Sequence, residues 1–483
     1  MNLGVISRNV GIALMATAAF MFLSAGVSAL DGLDSAFSPL LFSGMITALI
    51  GLFPLVFVRK TKDINIKEGL AILLFAWLLC CIFSMLPYVL WGGEFTLVNA
   101  WFESVSGITT TGATILSDVE ALPRGLVFWR SATHYIGGLG VVVFMVMILP
   151  SMGTVRYRMS KMDVEDVSRS NYQYKSDKFI RVVVSVYLGL TLACLIALVL
   201  SGMPFFDALN HAMSVVATGG FSSRNASVAS FDSFLIDMVL MVFMVLSSLH
   251  FGLIYASFAT RSFKVLKNPV TRFYLATICV CSLMVAVNLL TSGTIGVPGK
   301  ALHNAFFAVI STISTTGFAI TDTNLWPVFS ILVLLYAAIQ CGCSGSTTSG
   351  LRSDRVLVIF KMAGAQIVKV AHPNAVVRTK TAGQTIEHEF FTSVSVYVIV
   401  YLFITMICSL IYASMGFDLL SSLSASVSMM SNVGPCFGTY GSSMSTFACA
   451  PEVAKLMMGV QMIVGRLGVY SVLSMFILLR KNY

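Results

Sequence analysis

Four short stretches hold the residues best suited to chemistry: SGITTTGATI (106–115), SVVATGGFSS (214–223), STISTTGFAI (311–320) and SMMSNVGPCF (428–437). Anchored on Gly112, Gly220, Gly317 and Gly434, they recur at spacings of 108, 97 and 117 residues. Threonine tolerates an extended backbone and offers a hydroxyl ligand, while glycine permits the dihedrals that turn successive carbonyls the same way. Four such loops around one axis can replace the water shell of a monovalent cation with main-chain oxygens. The candidate ligands are Thr110, Thr111 and Gly112; Thr218, Gly219 and Gly220; Thr315, Thr316 and Gly317; and Asn432, Val433 and Gly434.

The residues upstream of each glycine define the element that must hold it. Thirteen places before stand Asn99, Asp207, Asn304 and Ser421, all favoured N-cap types. Eleven, seven and four places before, all twelve residues are apolar: Trp101, Val105 and Ile108; Leu209, Met213 and Val216; Phe306, Ile310 and Ile313; Leu423, Val427 and Met430. This is the stripe of an amphipathic helix. Serine recurs six places before, as Ser106, Ser214, Ser311 and Ser428. The pattern predicts a capped helix of about nine residues in each unit, too short to cross a bilayer. A span, a short helix, a non-helical return and a second span make a re-entrant loop. Irregular backbone survives at membrane depth only when buried in protein or lining water. The C-terminal end of each short helix would add negative potential at the shared centre.

Composition agrees with a membrane setting. Of 483 residues, 57% are hydrophobic and 11% charged, against roughly 25% charged in a soluble domain. Apolar stretches predict spans near 9–30, 38–58, 68–91, 126–150, 179–202, 234–260, 271–293, 326–340 with a continuation past 350, 390–415 and 454–479. All 30 Lys and Arg residues except Arg124, Arg130, Arg224, Lys300, Lys455 and Arg466 fall in alternate loops or at the termini. Those loops therefore face the cytoplasm, and the net charge of +9 reports orientation rather than nucleic-acid binding. The opposite face carries Asp31, Asp34, Glu94, Asp118, Glu120, Asp207, Asp232, Asp322, Asp418 and Glu452. These acids either concentrate cations at a pore mouth or form a solvated rim. Residues 9–30 are too long for a signal-peptide core and read as a retained helix.

Other chemistry is poorly represented. The ten cysteines follow no metal-ligand spacing, and most lie in apolar spans as small hydrophobes. Cys436 and Cys449 both face outward, which leaves a disulfide between them open. No nucleophile with an adjacent base is visible, and the chain does not read as an enzyme.

With these loops in view, the sequence resembles the Trk/Ktr superfamily of microbial potassium-uptake proteins, in particular its bacterial TrkH/TrkG branch. The resemblance rests on TTTGAT in the first loop, GGF in the second, TTGF in the third and NVGP in the fourth, together with an extra N-terminal pair of spans. It implies an all-α polytopic membrane protein of the bacterial inner membrane, with four M1–pore loop–M2 repeats in pseudo-fourfold arrangement. It further implies potassium symport or uptake through one selectivity filter per chain, homodimers, and a cytoplasmic nucleotide-binding regulatory subunit of the TrkA type. Potassium is then the substrate, held at the loop residues named above, and no covalent cofactor is expected. Relatives that prefer sodium often carry serine at the first filter glycine, where this chain has Gly112. The corresponding division is 1–64 for an N-terminal hairpin, then repeats at 65–155, 156–263, 264–370 and 371–483.

Two features fall below the loops. The apolar run from Trp326 ends near Gln340, after roughly 22 Å, and CGCSGSTTSG (341–350) follows. A loop there would truncate the span, so a helix broken inside the membrane is expected. The resemblance makes Gly342, Gly345, Ser346, Thr347, Thr348 and Gly350 an intramembrane gating loop, with Thr348–Ser349 where relatives usually show glycines. Arg466 lies too deep in the last span to snorkel and should face a wet cavity or a polar partner. Its implied role is a positive barrier touching the gating loop; relatives often place an acid two residues on, where this chain has Gly468. Arg130, nearer the outer end of its span, is expected to snorkel. The competing readings are a sodium or mixed monovalent cation translocator of the same fold, a secondary transporter of organic solutes, and an intramembrane enzyme. A solute transporter should show inverted repeats rather than four parallel loops, and an enzyme should show a convergent catalytic set.

Overall fold

A computed structural model describes residues 2–59, 66–148, 176–374, 380–381, 384–385 and 388–479. The basic residues within 60–65, 149–175 and 375–379, together with Arg480–Lys481, lie outside the described residues, as do the expected boundaries at 64/65 and 155/156.

The described chain is helical throughout, apart from a hairpin of two-residue strands, Lys380–Thr381 against Gln384–Thr385. Six helices are long and apolar enough to span a bilayer singly: Leu3–Leu30, Phe37–Phe57, Lys67–Trp91, Ile180–Leu200, Pro269–Thr291 and Phe390–Ser414. The first runs continuously through the residues read as a retained helix and packs along Phe37–Phe57. Arg124–Ile148 is a further helix of 25 residues, interrupted in its apolar character by Arg130 and His134.

Two expected spans are not straight. Phe234–Ser247 and Phe251–Ala259 meet at 100°, and Glu452–Leu467 and Val469–Met475 at 103°. Hydropathy runs unbroken through both, which is why 234–260 and 454–479 read as single helices. The second break falls at Gly468, whose φ of 82° ends an α-helix. The expected break after Gln340 is present: Val328–Gln340 stops at Cys341 with φ 56°, and helix resumes at Ser353–Ala371.

The four short helices are Leu97–Ile108, Phe205–Val216, Pro298–Ile313 and Leu419–Ser431, here called α1 to α4. At 12, 12, 16 and 13 residues they are longer than nine, yet still short of a span. None of the expected caps is a cap. Asn99, Asp207 and Ser421 lie one turn inside their helices, and Asn304 deeper still. The true caps are Thr96, whose hydroxyl accepts from Asn99 N, and Asp418, whose carboxylate accepts from Ser421 N; α2 and α3 start from Pro204 and Val297 without a side-chain cap. The apolar stripe holds: its two lower positions are buried in every copy, and the upper one is half-buried.

Candidate ion pathway: four loops and the segment beneath them

Each short helix ends in the same way. At the end of α1, Thr110 N donates to Gly107 O and Thr111 N to Ser106 O; α2 and α3 repeat this through Thr218 and Gly219, and through Thr315 and Thr316. In α4, Asn432 N and Val433 N both reach Ser428 O. These are Schellman-type closures. In all four copies the recurrent serine supplies the main-chain carbonyl that receives this N–H, a role that does not itself require a serine side chain.

A Schellman closure needs a left-handed residue, usually glycine. Here Thr110, Thr218, Thr315 and Asn432 take that place, with φ of 54°, 55°, 55° and 56°. For a β-branched side chain this conformation is strained, by roughly 1–3 kcal/mol, and only surrounding structure can impose it. Two residues on, Gly112, Gly220, Gly317 and Gly434 are left-handed again, at 80°, 88°, 79° and 100°. Left-handed residues on either side of one ordinary residue turn neighbouring carbonyls toward a common side.

The four glycines lie together. A Cβ on Gly112 would overlap the carbonyl oxygen of Gly219; one on Gly220, that of Thr316; one on Gly317, that of Val433; and one on Gly434, that of Thr111. First touches second, second third, third fourth, and fourth first, which closes a ring. Each glycine is required because its neighbour's oxygen occupies the space of a side chain.

Side chains behind the ring brace it unequally. Arg130 does not snorkel. It is 2% exposed, and its Nε donates to Glu103 Oε1 at 2.8 Å, with Glu103 fully buried in α1. Arg130 also donates to Ser222 O and Thr114 Oγ1 and lies 4.1 Å from the Phe221 ring centre. Glu103 accepts from Thr114 Oγ1 and Ile115 N. The reason Arg130 turns inward is this carboxylate: an unpaired buried charge costs several kcal/mol, and the pair leaves neither alone. His134 extends the brace, with Nδ1 2.8 Å from Gly107 O and Nε2 accepting from Phe221 N. In the second loop, His211 reaches Ser222 Oγ, and Asp207 accepts from Ser223 and Arg224. Sequence reasoning missed Glu103, although a carboxylate inside an apolar short helix is itself a signal.

The outer acids are largely taken up in loop structure. Asp31 pairs with Arg124, Glu94 accepts from Ser117 N, and Asp322 from Asn324 N. The Asn225 side chain donates to Asp118 and holds its carboxyl below the usual range, helped by the N–H groups of Ala121 and Glu120. Hydrogen bonding to Asp207 pushes the Arg224 guanidinium further up. Cys436 and Cys449 are both free thiols; Cys436 is buried with its Sγ directed at Tyr440 O and Gly441 O, while Cys449 is exposed.

Residues 341–352 lie directly beneath the second loop. Thr347 Oγ1 donates to Val216 O, at the end of α2, and to Ser247 O, at the helix break. Cys343 N donates to Ser248 O, and Phe251 N to Gly345 O. A 100° bend leaves backbone groups without helical partners, and this segment satisfies three groups there, Ser247 O, Ser248 O and Phe251 N. Gly345 and Gly350 are left-handed, Gly342 O accepts from Ser353 N, and Ser346 and Thr348 share a hydroxyl contact. Arg466, 3% exposed, donates through Nη1 to Thr347 O and Ser349 Oγ and through Nη2 to Gly137 O. These partners are neutral oxygens, and its Nε has no hydrogen-bond partner among the described residues.

Residues 40–482 match the family model described as TrkH: Cation transport protein. The chain is 30% identical to the Trk system potassium uptake protein TrkH of Salmonella typhimurium, over 99% of both chains. It is 32% identical to the Trk system potassium uptake protein TrkG of Escherichia coli, over 86% of this chain and 85% of that one. The crystal structure of the potassium transporter TrkH from Vibrio parahaemolyticus superposes with a TM-score of 0.88 at 28% identity, covering 100% of this chain and 99% of the other. Matched along nearly its whole length in sequence and in fold, the chain belongs to the TrkH family of multi-pass cation transport proteins.

Proposed function

We propose that the chain takes up potassium across a bacterial inner membrane through a filter made of Thr110–Gly112, Thr218–Gly220, Thr315–Gly317 and Asn432–Gly434. The observation that carries this is the closed ring of four glycines, each pressed against a neighbouring main-chain oxygen. Uncharged oxygens at fixed positions suit a large, weakly hydrated monovalent cation, which exchanges its water for carbonyls at little net cost. The negative ends of α1 to α4 favour positive charge at the same centre. An interior-negative membrane drives entry by about 2.3 kcal/mol per 100 mV for each charge.

In this reading the four loops are the re-entrant parts of pseudo-fourfold repeats at 65–155, 156–263, 264–370 and 371–483, with 1–64 as an added hairpin. Residues 342–350 act as the gate, and Arg466 holds the gate closed and places a positive charge below the ring. Dimerisation and control by a cytoplasmic nucleotide-binding subunit, as the family resemblance implies, complete the proposal.

The test is uptake of labelled K⁺ by a bacterium without its own potassium systems, with and without a co-expressed regulatory subunit and with Na⁺ as competitor. Growth rescue at low K⁺ that Na⁺ does not suppress is expected. Equal competition by Na⁺ would instead identify a mixed cation translocator.

A further inference from the structure

Behind the ring, between α3, α4 and Val328–Gln340, lies a cavity with about 40 Å³ open to the centre of a water molecule. One water needs roughly 10–15 Å³ on that measure, so about two to four fit. A feature of the sequence accounts for the space. The helices that follow the four loops are preceded by Pro123, Ser233, Pro327 and Pro451. Eleven residues further on stand His134, Met244, Ala338 and Met462, all buried. Three of these are bulky, and His134 uses its bulk to bond the backbone of two loops. Ala338 lines the cavity, and its methyl group leaves the corresponding volume unfilled.

The walls are uncharged and largely apolar, with a few hydroxyl groups set among them. Ser311 Oγ donates to Phe318 O, Thr312 Oγ1 to Ala308 O, and Ser424 Oγ to Phe437 O. Each of these hydroxyls has spent its hydrogen on a carbonyl and offers lone pairs only. Ser428 Oγ, on the cavity wall in a residue 3% exposed, has no hydrogen-bond partner among the described residues. An unsatisfied buried hydroxyl costs about 1–3 kcal/mol. Ser106 and Ser214 carry the same unpartnered hydroxyl at their own loops, so Ala338 is the distinguishing feature of this seam.

We propose that the Ala338 cavity is a built water site, in which a small ordered cluster bonds Ser428 Oγ and backs the ring where the third and fourth loops meet. The cluster does the work that His134 does by side chain at the first and second loops. Water is favoured over a cation because, among the described residues, no charged side chain lines the cavity. The assignment holds whether or not the ring selects potassium.

The test uses the full-length protein in lipid nanodiscs, imaged by cryo-electron microscopy at a resolution that shows other buried waters, with hydroxyl-radical footprinting in parallel. Wild type should show density within hydrogen-bond distance of Ser428 Oγ and radical labelling of Phe318 and Phe437. Ala338→Met should remove the density and lower that labelling several-fold. Should that variant fail to assemble, Ser428→Ala, which adds no bulk, should remove the density nearest residue 428. A dry cavity in wild type, or density unchanged by the substitution that assembles, overturns the proposal.

Discussion

The ring and the segment beneath it are both irregular backbone held deep in a helical protein, yet they are built on opposite principles. The ring is made of one motif used four times: a short helix, a Schellman-type closure, a left-handed Thr or Asn, and a left-handed glycine against its neighbour's oxygen. Residues 341–352 have no such repeat and are held by groups that a neighbouring helix break exposes, at Ser247, Ser248 and Phe251. A site that coordinates a spherical ion gains from symmetry, because equivalent oxygens leave no preferred side. A barrier gains nothing from it, and one loop with one arginine is enough to block a narrow path. On the proposed reading, repetition serves selection and its absence serves control.

The comparison is broken most severely at the ring. Gly112→Ser places a side chain at φ 80° against Gly219 O. The strain, roughly 1–3 kcal/mol, must be relieved by moving that oxygen. K⁺/Na⁺ discrimination should fall about tenfold or more, since each 1.4 kcal/mol is a factor of ten. Competitive isotope uptake measures this, and an unaltered ratio would count against the ring as a filter.

Next in size is the buried ion pair behind it. Arg130→Met strands Glu103, at a cost of about 3–5 kcal/mol, and should lower the melting temperature of the detergent-solubilised protein. Adding Glu103→Leu should restore most of the stability, because two apolar groups replace a matched pair at little net cost. A double variant no better than the single one would show that the pair is needed for more than charge balance.

Below the ring the effects should change sign. Arg466→Ala removes contacts to Thr347 O, Ser349 Oγ and Gly137 O, worth about 1.5–3 kcal/mol for each bond to a charged donor. Basal K⁺ flux should rise severalfold while selectivity and assembly stay as they are. Unchanged flux in a well-folded variant would remove the gating role. The smallest effect belongs to Thr347→Ala, which loses the hydroxyl bonds to Val216 O and Ser247 O. That is about 1 kcal/mol and a modest rise in the same flux assay; a rise as large as that of Arg466→Ala would show that Thr347, rather than the arginine, seats the loop.

How much of this was legible in the sequence follows from the same contrast. The four glycines and the apolar stripes declared themselves because each offset could be checked against three other copies. The caps failed because Asn, Asp and Ser are common inside first turns as well. The residue before the helix sits three places earlier in three copies, where Thr96 and Asp418 are visible caps but Pro204 is not, and seven places earlier in the other, at Val297. The break after Gln340 was readable because apolar residues ran out, whereas those at Ser248–His250 and Gly468 were hidden in continuous hydropathy. Arg130 was misread because its partner lies 27 residues away in sequence, and depth alone cannot tell a snorkelling arginine from a paired one.

The closure of the ring between its fourth and first members has a consequence for biogenesis. Asn432 Nδ2 donates to Thr111 Oγ1 across 321 residues, and Gly434 fits against the carbonyl of that same Thr111. The last quarter of the polypeptide must leave the ribosome and insert before the circle of oxygens is complete. A nascent chain three-quarters built thus holds only an open arc of main-chain oxygens, and the site proposed here exists only once the fourth unit has been inserted.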